Sequence, residues 1–533
     1  MKSNKNSKNS HRHAEEYASV NPSTRFRRFK LWSLSLLSAA ILVSTAVVIS
    51  YTSPFKHIMD DPIYPNGSVE KQVSSTNFQT VCPTRVSLPD LANYGDSEFQ
   101  ESEGDLKSVA RYASFGNVYK SSVHGLKDSG NSKDLVNKSF TNASNLDDDS
   151  KAYFAENNVD KDSQILESNF LNAQSGTGSV ASSVSWATNG DLKGLSATSC
   201  VSPSMRQNFI IPQISEGVSI RLNSINLSSK PTVVSVKAWS TSRSGAQMNL
   251  STGSTFTVPA HSDSSFNISA AAEKTNGLYI QVSSDQAPVS SFVKVVRSQG
   301  LVSKGVDIIQ PTSSASKEPV LPGITDGDQV KAYIWSDKSG KLDLYWLDDS
   351  GKKSIKEVDL NARQVQVVDL GNAPKGVGAI FAQSTVPTFI MASVERNGKD
   401  GQSDIAFVNA VNPMTNSAFV SPLSADETSL YIANGLVDNS HVTINAYDSY
   451  GIKVSSKVVD IKPYTVSTIS AKDINPKAIM FTLKSKSGVS FASRIQNNTV
   501  NSAGLAGVAW IPSKSLDPNR ISVKVRANPA IVK

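Results

Sequence analysis

Residues 233–245 read VVSVKAWSTSRSG, residues 342–351 read LDLYWLDDSG and residues 442–451 read VTINAYDSYG. Each stretch alternates apolar and polar residues, reaches an aromatic (Trp239, Trp346, Tyr447) and runs through polar residues to a glycine (Gly245, Gly351, Gly451). Alternation with a period of two is the pattern of a strand with one buried face. The copies lie about 100 residues apart, which is the length of one small β-domain.

The resemblance extends downstream of each stretch. A second strand and turn follow as FTVPAH from 256, VDLNAR from 358 and VDIKPY from 459. Then come paired strands, LYIQVSSDQAPVSSFVKV, AIFAQSTVPTFIMASV and IMFTLKSKSGVSFASRI, broken at Pro288, Pro387 and Gly488. The connectors VDIIQPTSSASKEPVLPG and IAFVNAVNPMTNSAFVSPLS are also alike. The expectation is a mainly β chain of tandem sandwich modules, Ig- or FN3-like, at 206–305, 306–405 and 406–515, each with about seven short strands. The alternative is a β-propeller in which each unit supplies two blades of four strands. Trp239, Trp346 and Tyr447 are candidate ligand-facing aromatics, platforms for a sugar. The competing reading makes them core residues of their modules.

The N-terminal part is different in kind. Residues 1–30 carry eight lysines and arginines against Glu15 and Glu16, a net of +6 out of +7 for the whole chain. The 21 residues Leu31 to Tyr51 then contain no charge. As a helix they would span about 31 Å, the thickness of a bilayer core. The small-residue triplets inside the run are not followed by polar mature sequence, so a retained anchor is preferred to a cleaved signal. The reading is a basic cytoplasmic tail (1–30), a transmembrane anchor (31–51), a Pro-rich stalk (52–75) and an extracellular C-terminal ectodomain, oriented by the positive-inside rule. The basic charge reports topology, and nucleic acid is not an expected partner.

Residues 76–205 are expected to form an N-terminal β domain. Its middle, 92–175, is rich in Ser, Asn, Asp and Gly and is taken as a long polar insertion. The only cysteines, Cys82 and Cys200, flank it. An exported pair suggests one disulfide closing about 119 residues; two unpaired buried thiols are the alternative. Residues 516–533 read as a C-terminal tail.

Motifs of known chemistry are scarce. None of the six histidines (His11, His13, His57, His124, His261, His441) sits in a zinc motif, and no cysteine pair has metal spacing. There is no Gly-x-Ser-x-Gly elbow and no phosphate-binding glycine loop. Ser350–Lys353 and Ser314–Lys317 match S-x-x-K in polar turns without companion motifs. Asn145, Asp147, Asp149 and Glu156 follow EF-hand spacing, but Ser150 stands where the turn needs glycine and no helices flank it. No cofactor, metal or catalytic residue is expected.

The stretch Trp186–Pro203, WATNGDLKGLSATSCVSP, together with Cys82-Pro83, resembles an uncharacterised group of actinobacterial single-pass envelope proteins built on a domain of unknown function. The resemblance spans about residues 76–515. Members often carry a WxxGG-like stretch after the second cysteine, where this chain has Asn208-Phe209-Ile210-Ile211 without the glycines. The resemblance brings no catalytic residues; its genomic association with envelope glycosyltransferases points to the envelope. The expected function is a membrane-anchored, extracytoplasmic, non-enzymatic scaffold or binding protein for envelope glycan or a membrane partner. The alternatives are a hydrolase or transferase of envelope polysaccharide, and a passive spacer.

Overall fold

The computed structural model describes residues 68–88, 102–128, 130–137, 151–242, 244–518 and 520–526. The basic tail, the apolar run 31–51, residues 52–67 of the stalk and most of the EF-hand-like stretch lie outside the described residues. Among the described residues no helix is long and apolar enough to cross a membrane.

Residues of the expected stalk form β1 (Ser68–Ser74). The first module then holds β2 (Asn77–Cys82), β3 (Lys107–Phe115), β4 (Val118–Gly125), β5 (Lys133–Asn137), β6 (Ala152–Asn157), β7 (Gln164–Phe170), β8 (Gly178–Ala187) and β9 (Gly194–Ser199). The second holds β10 (Arg206–Ile211), β11 (Val218–Asn226), β12 (Thr232–Ser240), β13 (Thr255–Val258), β14 (Ser262–Asn267), β15 (Leu278–Ser284), β16 (Val289–Gln299) and β17 (Val302–Ile309). The third holds β18 (Val320–Pro322), β19 (Gln329–Trp335), β20 (Gly340–Leu347), β21 (Lys352–Leu360), β22 (Gln366–Asn372), β23 (Ala379–Ser384), β24 (Phe389–Asn397) and β25 (Ser403–Asn409). The fourth holds β26 (Met414–Val420), β27 (Thr428–Asn434), β28 (Ser440–Tyr447), β29 (Lys453–Ile461), β30 (Thr465–Ser470), β31 (Met480–Ile495) and β32 (Ala509–Pro512). Last come β33 (Lys514–Ser515) and β34 (Arg520–Arg526), the latter paired with β1 rather than left as a tail.

All four modules share one topology. One sheet runs first–sixth–third–fourth strand and the other fifth–second–seventh–eighth, as in β2-β7-β4-β5 and β6-β3-β8-β9. The fourth module fuses its sixth and seventh strands into β31, which pairs with β28 up to Ser485 and with β27 from Ser490. Gly488, at φ 74, lies where the strand passes between the sheets. Residues of both sheets share one apolar core, as with Val234, Val236 and Ile280 of one sheet and Ile220, Leu222 and Val293 of the other in the second module. The chain is therefore mainly β, built of small antiparallel sheets. Their order is not the sequential meander of a propeller blade.

Two expectations are corrected. Residues 107–170, taken from composition as part of an insertion, carry β3 to β7 of a complete module. Beside buried apolar residues such as Tyr112, Val123 and Leu166 they bury serines: Ser114, Ser121 and Ser168 bond to one another and to Ser179 of β8, with Ser121 2.8 Å from Ser168 and Ser179 2.7 Å from Ser168. Mutual bonding satisfies the hydroxyls, so a polar-looking strand is buried without penalty. The module boundaries also shift, because β17 and β25 lie where connectors were expected and close the modules before them. The arrangement of the modules, which the repeat leaves open, is a closed one. The last strands pack in a closed circuit, β9 on β17, β17 on β25, β25 on β32 and β32 on β9.

The repeat explains how the circuit closes. Gly194-Leu195, Gly305-Val306, Asp404-Ile405 and Gly507-Val508 stand at one place in the four copies, in the first half of the last strand or just before it. Three copies have glycine there and the third has aspartate. The Asp404 carboxylate, with no exposed surface, accepts the backbone N–H of Leu195 (2.9 Å), Val508 (3.0 Å) and Val306 (3.4 Å). One side chain thus ties its own module to the other three. A Cβ on Gly194, at φ 136, would come within 2.8 Å of that carboxylate, so the neighbouring glycine is what makes room for it. Beside it Asp307, also buried, accepts Phe407 N–H (2.9 Å) and the Ser196 hydroxyl (3.3 Å).

The disulfide Cys82–Cys200 joins the first strand of the first module to the end of its last, across a sequence separation of 118. Val81 and Val201 bond reciprocally beside it at 2.9 Å. Removal by Cys82→Ser with Cys200→Ser is expected to cost about 4–5 kcal/mol in the chain-entropy model. A denaturation midpoint that does not move on reduction of the native protein would contradict this.

Candidate ligand cleft

The three aromatics singled out by the repeat go to different places. Trp346 is 6 % exposed, inside the core of the third module. Trp239 is half-buried at the seam of the second and third modules, where its ring lies 5.8 Å from both Tyr279 and Trp335. Tyr279 and Trp335 stack at 3.8 Å, and Phe389 joins them. Tyr447, 4 % exposed, meets Phe115 of the first module edge-on at 5.7 Å and lines a small pocket of about 150 Å³ there. None forms an open platform. In the first module His124 stands where the second has Trp239, opposite Ile165 as Trp239 is opposite Tyr279, whereas Trp346, opposite Ile380, lies on the core face of its strand. Without its aromatic marker, that copy of the repeat is hidden in the sequence.

A larger cleft, of about 440 Å³, lies between the first module and the C-terminal segment. Sequence reasoning offers no sign of it, because its walls come from four separate stretches, one of them Cys200 and Ser202. β2 supplies Phe78 and Thr80, the start of β8 with the preceding turn supplies Thr177 to Ala181, and β33 with the residues after it supplies Lys514, Ser515 and Asp517. The segment is held across the first module by its own chemistry. β33 adds to the edge of β26, with Lys514 opposite Ala418. Leu516 is buried, donates its N–H to Asn416 and accepts one from Gly176 (3.0 Å). Nearby, Arg111 Nη1 donates to the carbonyl of Leu423 at 2.7 Å, and Ser182 Oγ to that of Val420 at 2.5 Å, closing the seam between the first and fourth modules.

The electrostatics of the cleft are uneven. Asp517 accepts Thr415 Oγ1 and Asn416 Nδ2, both at 2.7 Å. Burial opposes its charge, but these bonds prevail and hold its pKa below the usual carboxylate value. Lys514 has no hydrogen bond or ion pair among the described residues, and burial pushes its amine down to about 8. Thr177, 6 % exposed, carries a hydroxyl without a hydrogen-bond partner, buried against Gly116, and Thr80 and Ser202 contribute two hydroxyls to the cleft, 3.4 Å apart. Ser179 connects the wall to the buried serine cluster. The disulfide itself forms part of the wall through Cys200. This is a surface of hydrogen-bonding hydroxyls around one uncompensated amine, beside the phenyl ring of Phe78. Among the described residues no cluster of His, Cys, Asp or Glu is arranged to hold a metal ion. Glu156, the described member of the EF-hand-like set, pairs with Arg111 at 2.7 Å.

No curated protein matches the chain. A family model does match, over residues 155–472, from β6 of the first module into the fourth. That is more than half of the sequence, and the chain belongs to the family of unknown function DUF5719.

Proposed function

We propose that the protein is a membrane-anchored, extracytoplasmic, non-enzymatic component of the cell envelope that binds envelope glycan. The observation that carries this reading is the hydroxyl-lined cleft between the first module and the Lys514–Asp517 segment. A saccharide presents a dense set of donors and acceptors with apolar ring faces, which suits serine and threonine hydroxyls beside an aromatic ring. The cleft wall contributes one carboxylate, Asp517, already engaged by Thr415 and Asn416, whereas glycoside hydrolysis ordinarily uses two. The apolar run 31–51 after a basic tail supports anchoring with the modules outside. Actinobacterial origin belongs to the same proposal, through the resemblance around Cys200.

The test uses the full-length chain in neutral detergent, immobilised and exposed to fractionated cell wall, purified glycan and membrane extract. Saturable retention of a glycan fraction is the expected result. Retention of none, together with cells that tolerate deletion of whole modules, would favour a passive spacer. Release of shortened glycan would favour an enzyme.

A further inference from the structure

The cleft on which the proposed function rests also bears on what kind of glycan it takes. Lys514 places an amine in its wall with no counter-charge within reach among the described residues. The one carboxylate nearby is spent on Thr415 and Asn416 and does not pair with it. Holding a cation half out of water without a partner is costly, and that cost is relieved when a ligand supplies the opposite charge. The Thr177 hydroxyl, buried against Gly116, does not reach the cleft, so Lys514 is the group that selects the charge of the ligand. An oxyanion has several lone pairs and no donors, so it supplies the opposite charge that Lys514 lacks. A neutral sugar can bond with the hydroxyls but leaves the charge uncompensated.

We infer that the cleft binds an oxyanion-bearing saccharide, with the phosphate or carboxylate of the sugar paired to Lys514 and the sugar ring set among Thr80, Ser179 and Ser202. Asp517, the other charged group in the wall, repels an anion. It therefore restricts the oxyanion to the Lys514 side and sets the orientation of the sugar.

The experiment is calorimetric titration of the full-length chain in uncharged detergent with four probes: a hexose phosphate, a hexuronic acid disaccharide, a neutral disaccharide and inorganic phosphate. One or both anionic saccharides are expected to bind at least tenfold more tightly than the neutral disaccharide. Lys514→Gln is expected to erase that preference, Lys514→Arg to retain it, and added salt to weaken the anionic probes but not the neutral one. Circular dichroism of each variant separates lost binding from lost folding. If Lys514→Gln does not fold, Lys514→Arg and the salt dependence of the native protein still decide. Equal binding of neutral and anionic saccharides, unaffected at Lys514, would overturn the inference and leave the glycan reading intact. Binding of inorganic phosphate alone would overturn the saccharide part, and binding of no probe would overturn both.

Discussion

Replacing Arg494 by methionine is expected to destabilise the protein by about 3–5 kcal/mol, the usual cost of removing one partner of a buried ion pair. Arg494, on β31 of the fourth module, is 3 % exposed and reaches into the third. Its guanidinium meets Asp328 in fork geometry, Nη1 to Oδ2 at 2.6 Å and Nη2 to Oδ1 at 2.7 Å, and donates to the carbonyl of Gly323 at 3.1 Å. Asp328 has no exposed surface. Its remaining donors are Arg396 Nε at 2.7 Å and Thr325 N–H at 2.9 Å, which do not replace a bidentate partner. The variant leaves a buried carboxylate short of donors and the Gly323 carbonyl without its donor from Arg494. A double variant, Asp328→Leu with Arg494→Met, removes charge from both sides and is expected to recover part of the loss. Urea midpoints of the three proteins decide the matter. A single variant as stable as the wild type would show that the pair does not join the two modules energetically.

Replacing Asp404 by alanine is expected to cost about 3–5 kcal/mol, because three buried N–H groups from three modules lose their acceptor at once. The effect should be global rather than confined to the third module. The same residue gives stability a pH dependence. Burial raises the carboxyl of Asp404 to about 8, the backbone N–H bonds opposing but not cancelling it. Burial raises that of Asp307 as well. A carboxyl raised in the fold keeps a proton that the unfolded chain releases above about pH 4. Its contribution is therefore fully present below that pH and is lost as pH rises towards 8. Melting temperature is expected to fall across this window in the wild type and to fall less steeply in Asp404→Asn, which cannot titrate. Parallel curves for the two proteins would refute the assignment.

Much of the fold class was legible in local sequence. The alternation of VVSVKAW, LDLYWL and VTINAY, the glycines after them and the breaks at Pro288 and Pro387 correspond to strands, turns and crossings between sheets. Asn226 and Asn434 behave alike too. Each donates to one carbonyl of the loop after its strand and two at the end of the module's fourth strand, Lys230 with Val258 and Pro259 for one and Asp438 with Ile461 and Lys462 for the other. The first module escaped because serines interrupt the apolar positions of its buried faces and His124 stands where the second module has Trp239. Hydrophobic periodicity cannot register a hydroxyl that is buried by bonding to another hydroxyl.

The candidate cleft was not legible, for a different reason. Lys514 lies in IPSKSLDP, a stretch with no motif, and Thr177 in a glycine-rich turn. Their relation arises when β33 joins the edge of β26 and carries the segment across a module more than 300 residues earlier in the chain.

The sequence alone determined the β character, the period of about 100 residues and the pair of cysteines able to bond, since each depends on residue type at short range or on a simple count. Only the tertiary structure decided that the copies are four, that they close on one another, and that one aspartate among three glycines holds the centre. Those outcomes depend on which backbone groups and side chains from distant segments are buried together, and burial is a property of the assembled fold rather than of any stretch of chain.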